Sequence, residues 1–571
     1  MAARVDPPAR IEQITGMQIA RYRVAWLGLV LLASAPLVCA AGPLTRVGTS
    51  GQVELTADSN GDRLADFSSC GYGGGGVALP RVKTVLTLMP APEGDDTARI
   101  QKAIDELSAR PLDRAGLRGA LVLARGTYRV AGSLSIKASG VVLRGEGQAL
   151  DGTVIVATGT AKRTLISVGA DQEVAQDKAS RREIAAPRVA AGSRLVDLET
   201  TAGLAVGDRV VVVRRSNRHW IKTLKMESFS GIGNIGWTPE AYEMPYERQI
   251  LAIRGNTIGV DVPLVMSIEK PYGGGFVAKV TNPRIRQVGV ENLRLVSAYQ
   301  KGAETRDEKH AWNGIEMRWA EDGWVRNVTG QHFAYSTVSL LRGSRRMTVT
   351  DCANLDPVSL IDGGRRYSFQ ASGQQGLITR CYSRGGRHDF VQGARVVGPN
   401  AFLDCFAENA FGTSEPHHRF STGTLYDNVV VTGKASGITV GNRGNSGSGH
   451  GWSGAWVVFW NCGSNVLLAM DPPTARNAIV GARQVKAPDD GASTARWFEA
   501  QSGQKLTRIG PVVHDGRSWI HSPHAPVTPR SLYLYQLAAR LGPAALANVA
   551  LPLQLGDDWS AVEKQVRALA R

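Results

Sequence analysis

Three short stretches, VTDCAN (Val349–Asn354), ITRCYS (Ile378–Ser383) and FLDCFA (Phe402–Ala407), repeat one pattern: apolar residues, a polar residue, then Cys. VENLRL (Val290–Leu295), VRNVT (Val325–Thr329) and LYDNVVV (Leu425–Val431) repeat it with Asn, and FWNCG (Phe459–Gly463) carries it once more. Measured at Asn292, Asn327, Cys352, Cys381, Cys405 and Asn428, the intervals are 35, 25, 29, 24 and 23 residues. A period in the twenties, built from Val, Ile, Thr, Phe and Gly, marks a solenoid of short strands. Helical and leucine-rich solenoids are disfavoured, because helical spacing and a regular Leu framework are missing. A parallel β-helix remains, in which like residues of successive coils stack about 4.8 Å apart. The Asn and Cys residues are then expected to form one internal column, with the amides bonded along it and the thiols acting as small buried apolar groups.

Cysteine usage agrees. Beyond the first 41 residues stand Cys70, Cys352, Cys381, Cys405 and Cys462, an odd number that does not suggest a disulfide framework. The four of the column, Cys352, Cys381, Cys405 and Cys462, are expected to be reduced and structural.

Ahead of the repeats, EGDDTARIQKAIDEL (Glu93–Leu107) places Ala98, Ile100, Ala103, Ile104 and Leu107 at helical spacing behind an acidic start. Glycine-punctuated strands follow in GALVLARGTYRVAGSLSIKASGVVLRGEG (Gly119–Gly147). The order of GDDTARIQKAID, GALVLARGTYRVAGSLSI and GVVLRGEG resembles the N-terminal cap and first coils of the pectate-lyase superfamily. The resemblance covers Gly94 to about Ala170 by motif and about Asn282 to Gly463 by repeat character. It implies an all-β, single-stranded right-handed parallel β-helix. It implies less about activity, since lyases, glycoside hydrolases, epimerases and binding proteins share that fold. Many lyases of the superfamily use Arg or Lys as base with calcium at an acidic cluster; those motifs have no residue-by-residue match here, so calcium stays a possibility and no cofactor is assigned.

The expected layout is a signal peptide (1–41), an N-terminal helical cap with the first coils (42–185), a β-rich insertion (186–275), the central β-helix (276–520) and a C-terminal helical cap (521–571). The signal reading rests on Arg21 and Arg23 ahead of the apolar run Val24–Val38, with cleavage near Ala40 or Ala41 and Met17 as a candidate start. A retained anchor or a lipidated Cys39 are the alternatives, the latter weakened by Val38. Export to the periplasm or outside the cell follows, with no stable membrane insertion after cleavage. In the insertion, RGNT (Arg254–Thr257) reads as a hairpin turn, and GIGNIGWTPEAYEMPYERQ (Gly231–Gln249) could bring Trp237 and Tyr242 over a cleft as a sugar-stacking wall or bury them. The tail PRSLYLYQLAARLGPAALANV (Pro529–Val549) spaces Leu534, Leu537 and Leu541 as a helix that closes an open sheet edge.

The formal charge is +16, and removing Met1–Ala41 takes away four Arg and two acids, leaving +14. An exported chain this basic suits an anionic polysaccharide. No nucleic-acid module is recognisable, and a monomer is expected.

Candidate chemistry lies at the strand starts KHAWNG, QHFAYS, RRYSFQ, RHDFVQ and HHRFST. Aligned at His310, His332, Arg366, His388 and His418, they suggest an outward column of imidazole and guanidinium groups. That inventory suits β-elimination in a uronate polymer, which needs a carboxylate neutraliser, a base for the C5 proton and an acid for O4. Arg366 and Arg419 are neutraliser candidates, His388 the base, and His418 or Tyr367 the acid. Asp389 could orient His388 if the backbone bends. His310, His332, Arg365, Arg387, His417, Trp312 and Trp237 are expected to bind substrate, and no residue is assigned to a metal. A glycoside hydrolase would need two carboxylates, with Asp307, Glu308, Glu316, Glu321, Asp322, Asp362, Asp389 and Glu415 as candidates; a non-catalytic glycan binder is the third reading. Asp351, Asp404 and Asp427 are expected to cap turns. DSNGDRLAD (Asp58–Asp66) follows a calcium loop in part, but Arg63 stands where Gly belongs and Ser69 where Glu closes the site. GYGGGG (Gly71–Gly76) lacks the Lys-Ser or Lys-Thr of a phosphate loop.

Overall fold

The computed structural model describes residues 43–49, 52–229, 236–486 and 491–570. The proposed signal peptide lies outside the described residues. From Thr84 to His521 the chain winds as a parallel β-helix, with three strand columns per central coil. One runs through Ile285–Ser297, Ala320–Gln331, Arg345–Thr350, Leu377–Thr379, Val397–Leu403, Ser421–Asp427 and Val458–Ser464. A second is short, from Ala353–Leu355 through Tyr382–Arg384 and Phe406–Glu408 to Val430–Val431. The third carries Ala311–Met317, Ser336–Leu340, Phe369–Ala371, Phe390–Ala394, Thr413–His418, Gly437–Val440 and Leu467–Ala469.

The expected Asn and Cys column is two adjacent columns. Asn292, Asn327, Asp351, Arg380, Asp404, Asn428 and Asn461 all have positive φ, between 49° and 59°, and form the corner where the first strand passes into the second. Asn and Asp tolerate this left-handed conformation better than most residues. The residues that follow, Leu293, Val328, Cys352, Cys381, Cys405, Val429 and Cys462, point inward and belong to the buried core. The sequence pattern merged neighbours because Asn fills the corner in some coils and Cys the core position in others. One amide rung is present, Asn327 Nδ2 donating to Asn292 Oδ1 at 2.9 Å. All five described cysteines are free and buried, and burial pushes the Cys352, Cys405 and Cys462 thiols up.

The helix Thr97–Ser108 covers the first coil through Ile100, Ile104 and Leu107, so the edge of the stack is hidden from pairing. At the other terminus the helix Leu532–Leu541 lies against the outer face of the first strand column. Its Leu532, Tyr533, Leu534 and Leu537 pack with Leu377, Leu403 and Leu425. Asp427 anchors it, accepting from Ser531 Oγ at 2.7 Å and Tyr533 N at 2.8 Å. Asp404 pairs with buried Arg530, so these two aspartates tie the tail to the coils.

The insertion is a six-stranded antiparallel sheet ordered Arg182–Glu183, Gly275–Lys279, Arg209–Arg214, Met244–Arg254, Thr257–Val260 and Leu195–Asp197, slightly wider than 186–275. RGNT makes the expected hairpin, pairing Arg254 with Thr257. Buried Glu321 joins the sheet to the coils, with Arg209 of the insertion at 2.8 Å and Arg286, Arg345 and Arg346 of the coils at 2.9, 2.8 and 3.2 Å. Burial alone would raise its pKa, but the four guanidinium groups more than offset that and hold it well below the ordinary carboxylate value. With the folded pKa depressed, this stabilisation is present above the unfolded carboxylate pKa and is lost as pH falls. We predict that Glu321→Gln costs about 3–5 kcal/mol, the range for removing one partner of a buried pair. Denaturant unfolding at neutral pH measures this; an unchanged midpoint would show that the cluster does not seat the insertion.

Candidate active site

On the third strand column, Phe369 pairs with Phe390, which places Tyr367 over His388 with ring centroids 4.9 Å apart. Tyr335 stacks on the other side of Tyr367 at 4.9 Å. Val391 pairs with Glu415 and Ala394 with His418, so His417 and His418 sit at the end of strand Thr413–His418, not at its start. The aligned column is therefore corrected by register: Arg366 is level with Arg387, and Tyr367 with His388. The His417 ring lies 4.5 Å from that of His388. A glycine-rich strap, Gly441–Gly454, folds back through an Asn442–Trp452 bridge and brings Arg443 and His450 to the same place. The His450 ring is 4.9 Å from both His417 and His418.

We assign the tautomers from the hydrogen-bond network. His388 Nδ1 meets the Thr413 carbonyl at 2.7 Å, so it must donate, which leaves Nε2 unprotonated; that atom is buried without a partner. His417 Nδ1 lies 2.7 Å from Glu415 Oε1 and 2.9 Å from Arg443 Nη1. Because the two Nη1 hydrogens already go to Glu415 and to the His417 carbonyl, we assign the Nδ1 proton to the Glu415 bond, and Nε2 then accepts from the Tyr367 hydroxyl at 2.9 Å. Glu415 also accepts from Arg443 and from the hydroxyls of Thr413 and Thr439 at 2.6 and 2.9 Å. Burial opposes its charge, but Arg443 and these hydroxyls hold its pKa below the ordinary value. The imidazoles shift down. Burial, then His417, lowers His388 far below its usual value; burial, then Arg443, does the same to His417. Burial and Arg419 bring His418 to about 4, and burial and Arg443 bring His450 to about 3. Tyr367 is pushed up to about 12 by burial. Near neutrality the site therefore holds uncharged imidazoles beside a protonated phenol.

Other expected residues take different places. His310 is 0% exposed, tied to Ser297 Oγ at 2.8 Å and the Val358 carbonyl at 3.0 Å, so it is a structural tie and not a groove residue. His332 packs on Tyr299, rings 4.8 Å apart, away from His388. Arg366 is buried and donates to the Ser359 and Glu304 carbonyls at 2.9 and 3.1 Å; it is spent on backbone and unavailable as a neutraliser. Arg365 pairs with Glu308 at 2.6 Å and, with Lys162, lies over the Trp312 ring. Half-buried Arg387 donates to the Gly363 carbonyl at 2.5 Å and acts electrostatically on Tyr367, His388 and His417. Arg419 reaches Ser448 of the strap. Trp237 stacks on Tyr242 at 4.2 Å and meets Phe420 edge-on, buried with Trp220 and Trp452 in the insertion's apolar core. The wall reading is replaced by the buried one.

Among the hydrolase carboxylates, Glu415 is the one bonded into the imidazole cluster. Asp389 points into the coil interior, bonded to Ser368 and Ser383 at 2.8 and 2.5 Å, and burial raises its pKa to about 6. It does not orient His388, because adjacent strand residues face opposite sides. Asp307 and Asp362 bond nearby backbone N–H groups, Glu321 and Asp322 lie in the arginine cluster, and Glu316 is level with Ser339 on the third column.

A calcium ion, which takes six to eight oxygens, does not fit this donor set. Donor atoms of His388, Glu415 and His417 lie within 4.8 Å of one another, yet both Nδ1 atoms carry protons and Arg443 already supplies the cation. The DSNGDRLAD segment is likewise a turn: Asp58 accepts from Asn60 N and Asp62 N, while Asp62 and Asp66 pair with Arg188 and Arg194. Sequence alignment missed Arg443 and His450 because the strap has no strand-like pattern; its dense glycines around an Arg and a His were the available signal.

No family model and no curated protein matches the chain. Among solved structures it is similar to the tailspike gp49 from Pseudomonas phage LKA1, with 16% identity, TM-score 0.40 and coverage of 69% of this chain and 64% of that one. It is also similar to the Gp54 tailspike of Acinetobacter baumannii bacteriophage AP22, with 13% identity, TM-score 0.43 and coverage of 69% and 56%. An alginate lyase from Paenibacillus sp. str. FPU-7 aligns with 10% identity and TM-score 0.36 over 71% of this chain and 97% of that one. The chain thus spans less than two thirds of either tailspike.

We predict that Glu415→Gln, which leaves buried Arg443 without a carboxylate, costs about 3–5 kcal/mol, whereas Tyr367→Phe, which deletes one neutral hydrogen bond, costs about 1 kcal/mol. Denaturant midpoints of the two variants compare them, and equal losses would remove Glu415 as the anchor of the cluster.

Proposed function

We propose that this protein is an exported polysaccharide lyase that cleaves a uronate-containing glycan by β-elimination. The observation that supports it is the bare Nε2 of His388 beside the chain Tyr367–His417–Glu415. His388 Nε2 takes the C5 proton, the freed electron pair forms the C4–C5 double bond, the C4–O4 bond breaks, and Tyr367 delivers its proton to O4. Arg387, not Arg366, is the guanidinium beside these groups that could neutralise the sugar carboxylate. Tyr367 and His388 are 6% and 3% exposed, so substrate entry requires the side chains over them to move aside. The positive charge of the mature chain would draw an anionic polymer toward the site.

Hydrolysis is the weaker reading, since it requires a second carboxylate across the bond and Glu415 is committed to Arg443, His417 and two threonines. Incubation with a panel of uronate polysaccharides, following ultraviolet absorbance of the conjugated alkene and new reducing ends together, tests the proposal. Elimination produces both signals; reducing ends alone would replace it with hydrolysis. His388→Ala and Tyr367→Phe are each expected to slow elimination by about 100-fold or more with folding retained, and full activity in either would overturn that residue's role.

A further inference from the structure

The Tyr367 hydroxyl cannot donate to His417 and to a departing O4 at once. When it turns toward substrate it leaves behind His417 Nε2, a buried acceptor, and an unsatisfied buried acceptor is costly. A second donor stands ready: His450 Nε2 lies 3.3 Å from His417 Nε2. With His417 Nδ1 donating to Glu415, a hydrogen bond across that contact has His450 as its donor. The strap fixes this ring in place, since His450 N bonds the Ser446 carbonyl at 3.1 Å, Arg443 N bonds the Gly451 carbonyl at 2.8 Å, and Arg419 holds Ser448 Oγ at 2.8 Å. Glycines 444, 447, 449 and 451 all have positive φ, and a Cβ at Gly447 would stand 2.2 Å from the His450 ring. The groups facing His450 are Glu415, His418, Arg419 and Arg443, with His417 in ring contact.

We propose that His450 is the hydrogen-bond exchange partner of Tyr367: it satisfies His417 Nε2 as the tyrosine swings to protonate O4. No proton is transferred through His450, which acts as a positioning residue for the acid. This inference rests on the elimination reading for the role of Tyr367, and extends it to a residue on a separate segment. It applies to the chemical step, so loss of the donor should lower kcat and kcat/KM together.

The test compares His450→Leu, which removes the donor, with His450→Gln, whose amide N–H keeps one. The expected result is a loss on the order of tenfold to a hundredfold in kcat/KM for Leu, near-parental rates for Gln, and similar unfolding midpoints for both. A Leu variant at the parental rate, or a Gln variant as slow as Leu, would overturn the proposal. A second arm needs no turnover. In ¹⁵N-histidine-labelled protein, Tyr367→Phe should move the His450 Nε2 proton resonance downfield, because His417 then has a single donor; an unchanged resonance would also overturn it. Absence of elimination in the parent protein would sink the lyase reading alone, and the spectrum would still decide the hydrogen-bond exchange.

Discussion

Parallel pairing between successive coils is the constraint on which the rest of this molecule depends. Each strand of the central coils bonds the equivalent strand one coil away, so residues some 20 to 35 positions apart are held at strand spacing. Side chains that repeat must then stack, inward as the aliphatic, Cys and Phe core, outward as whatever the surface requires. The left-handed corner from Asn292 to Asn461 keeps this superposition in step as it turns the chain at the same point in each coil. Loss of that step would exchange inward and outward faces in every following strand.

The site is a local use of the same constraint. Register puts Tyr367 over His388, Tyr335 packs its ring on Tyr367 from the preceding coil, and the next coil adds Glu415 and His417. A regular stack would leave such a line solvated. Here the glycine-rich strap closes over it, supplying Arg443 to hold Glu415 and His450 to face His417. The strap is wedged in turn by the insertion: Phe229 lies where a Cβ on Gly449 would be, and Met226 and Trp237 where one on Gly451 would be. The insertion, joined to the coils through Arg209 and Glu321, therefore shapes the imidazole cluster without contributing a side chain to it. Burial keeps the imidazoles uncharged and the phenol protonated, the states in which one can accept a proton and the other can give one.

Much of the fold was legible in the sequence. The repeat at Cys352, Cys381 and Cys405, the amphipathic helix at Ile100, Ile104 and Leu107 and the RGNT turn all rest on local spacing, and all appear in the structure. The site was legible in composition and not in geometry. His388, Tyr367 and His417 were candidates from the first, whereas His310, Arg366 and Trp237, drawn from the same motifs, are absorbed by carbonyls or by the apolar core. Arg443 and His450 stand in a segment with no periodicity, so no pattern in the chain could align them.

The sequence by itself determined a parallel stack of β-coils, capped at its start, interrupted by an antiparallel sheet, and rich in basic and imidazole groups on one series of strands. Only the tertiary structure decided which of those groups converge. Side chains alternate between faces, so an error of one residue, such as that between Asn428 and Val429 or between Arg366 and Tyr367, reverses what each residue touches. The strap's path is also set by packing against the insertion, a contact between segments more than 200 residues apart that no local spacing encodes.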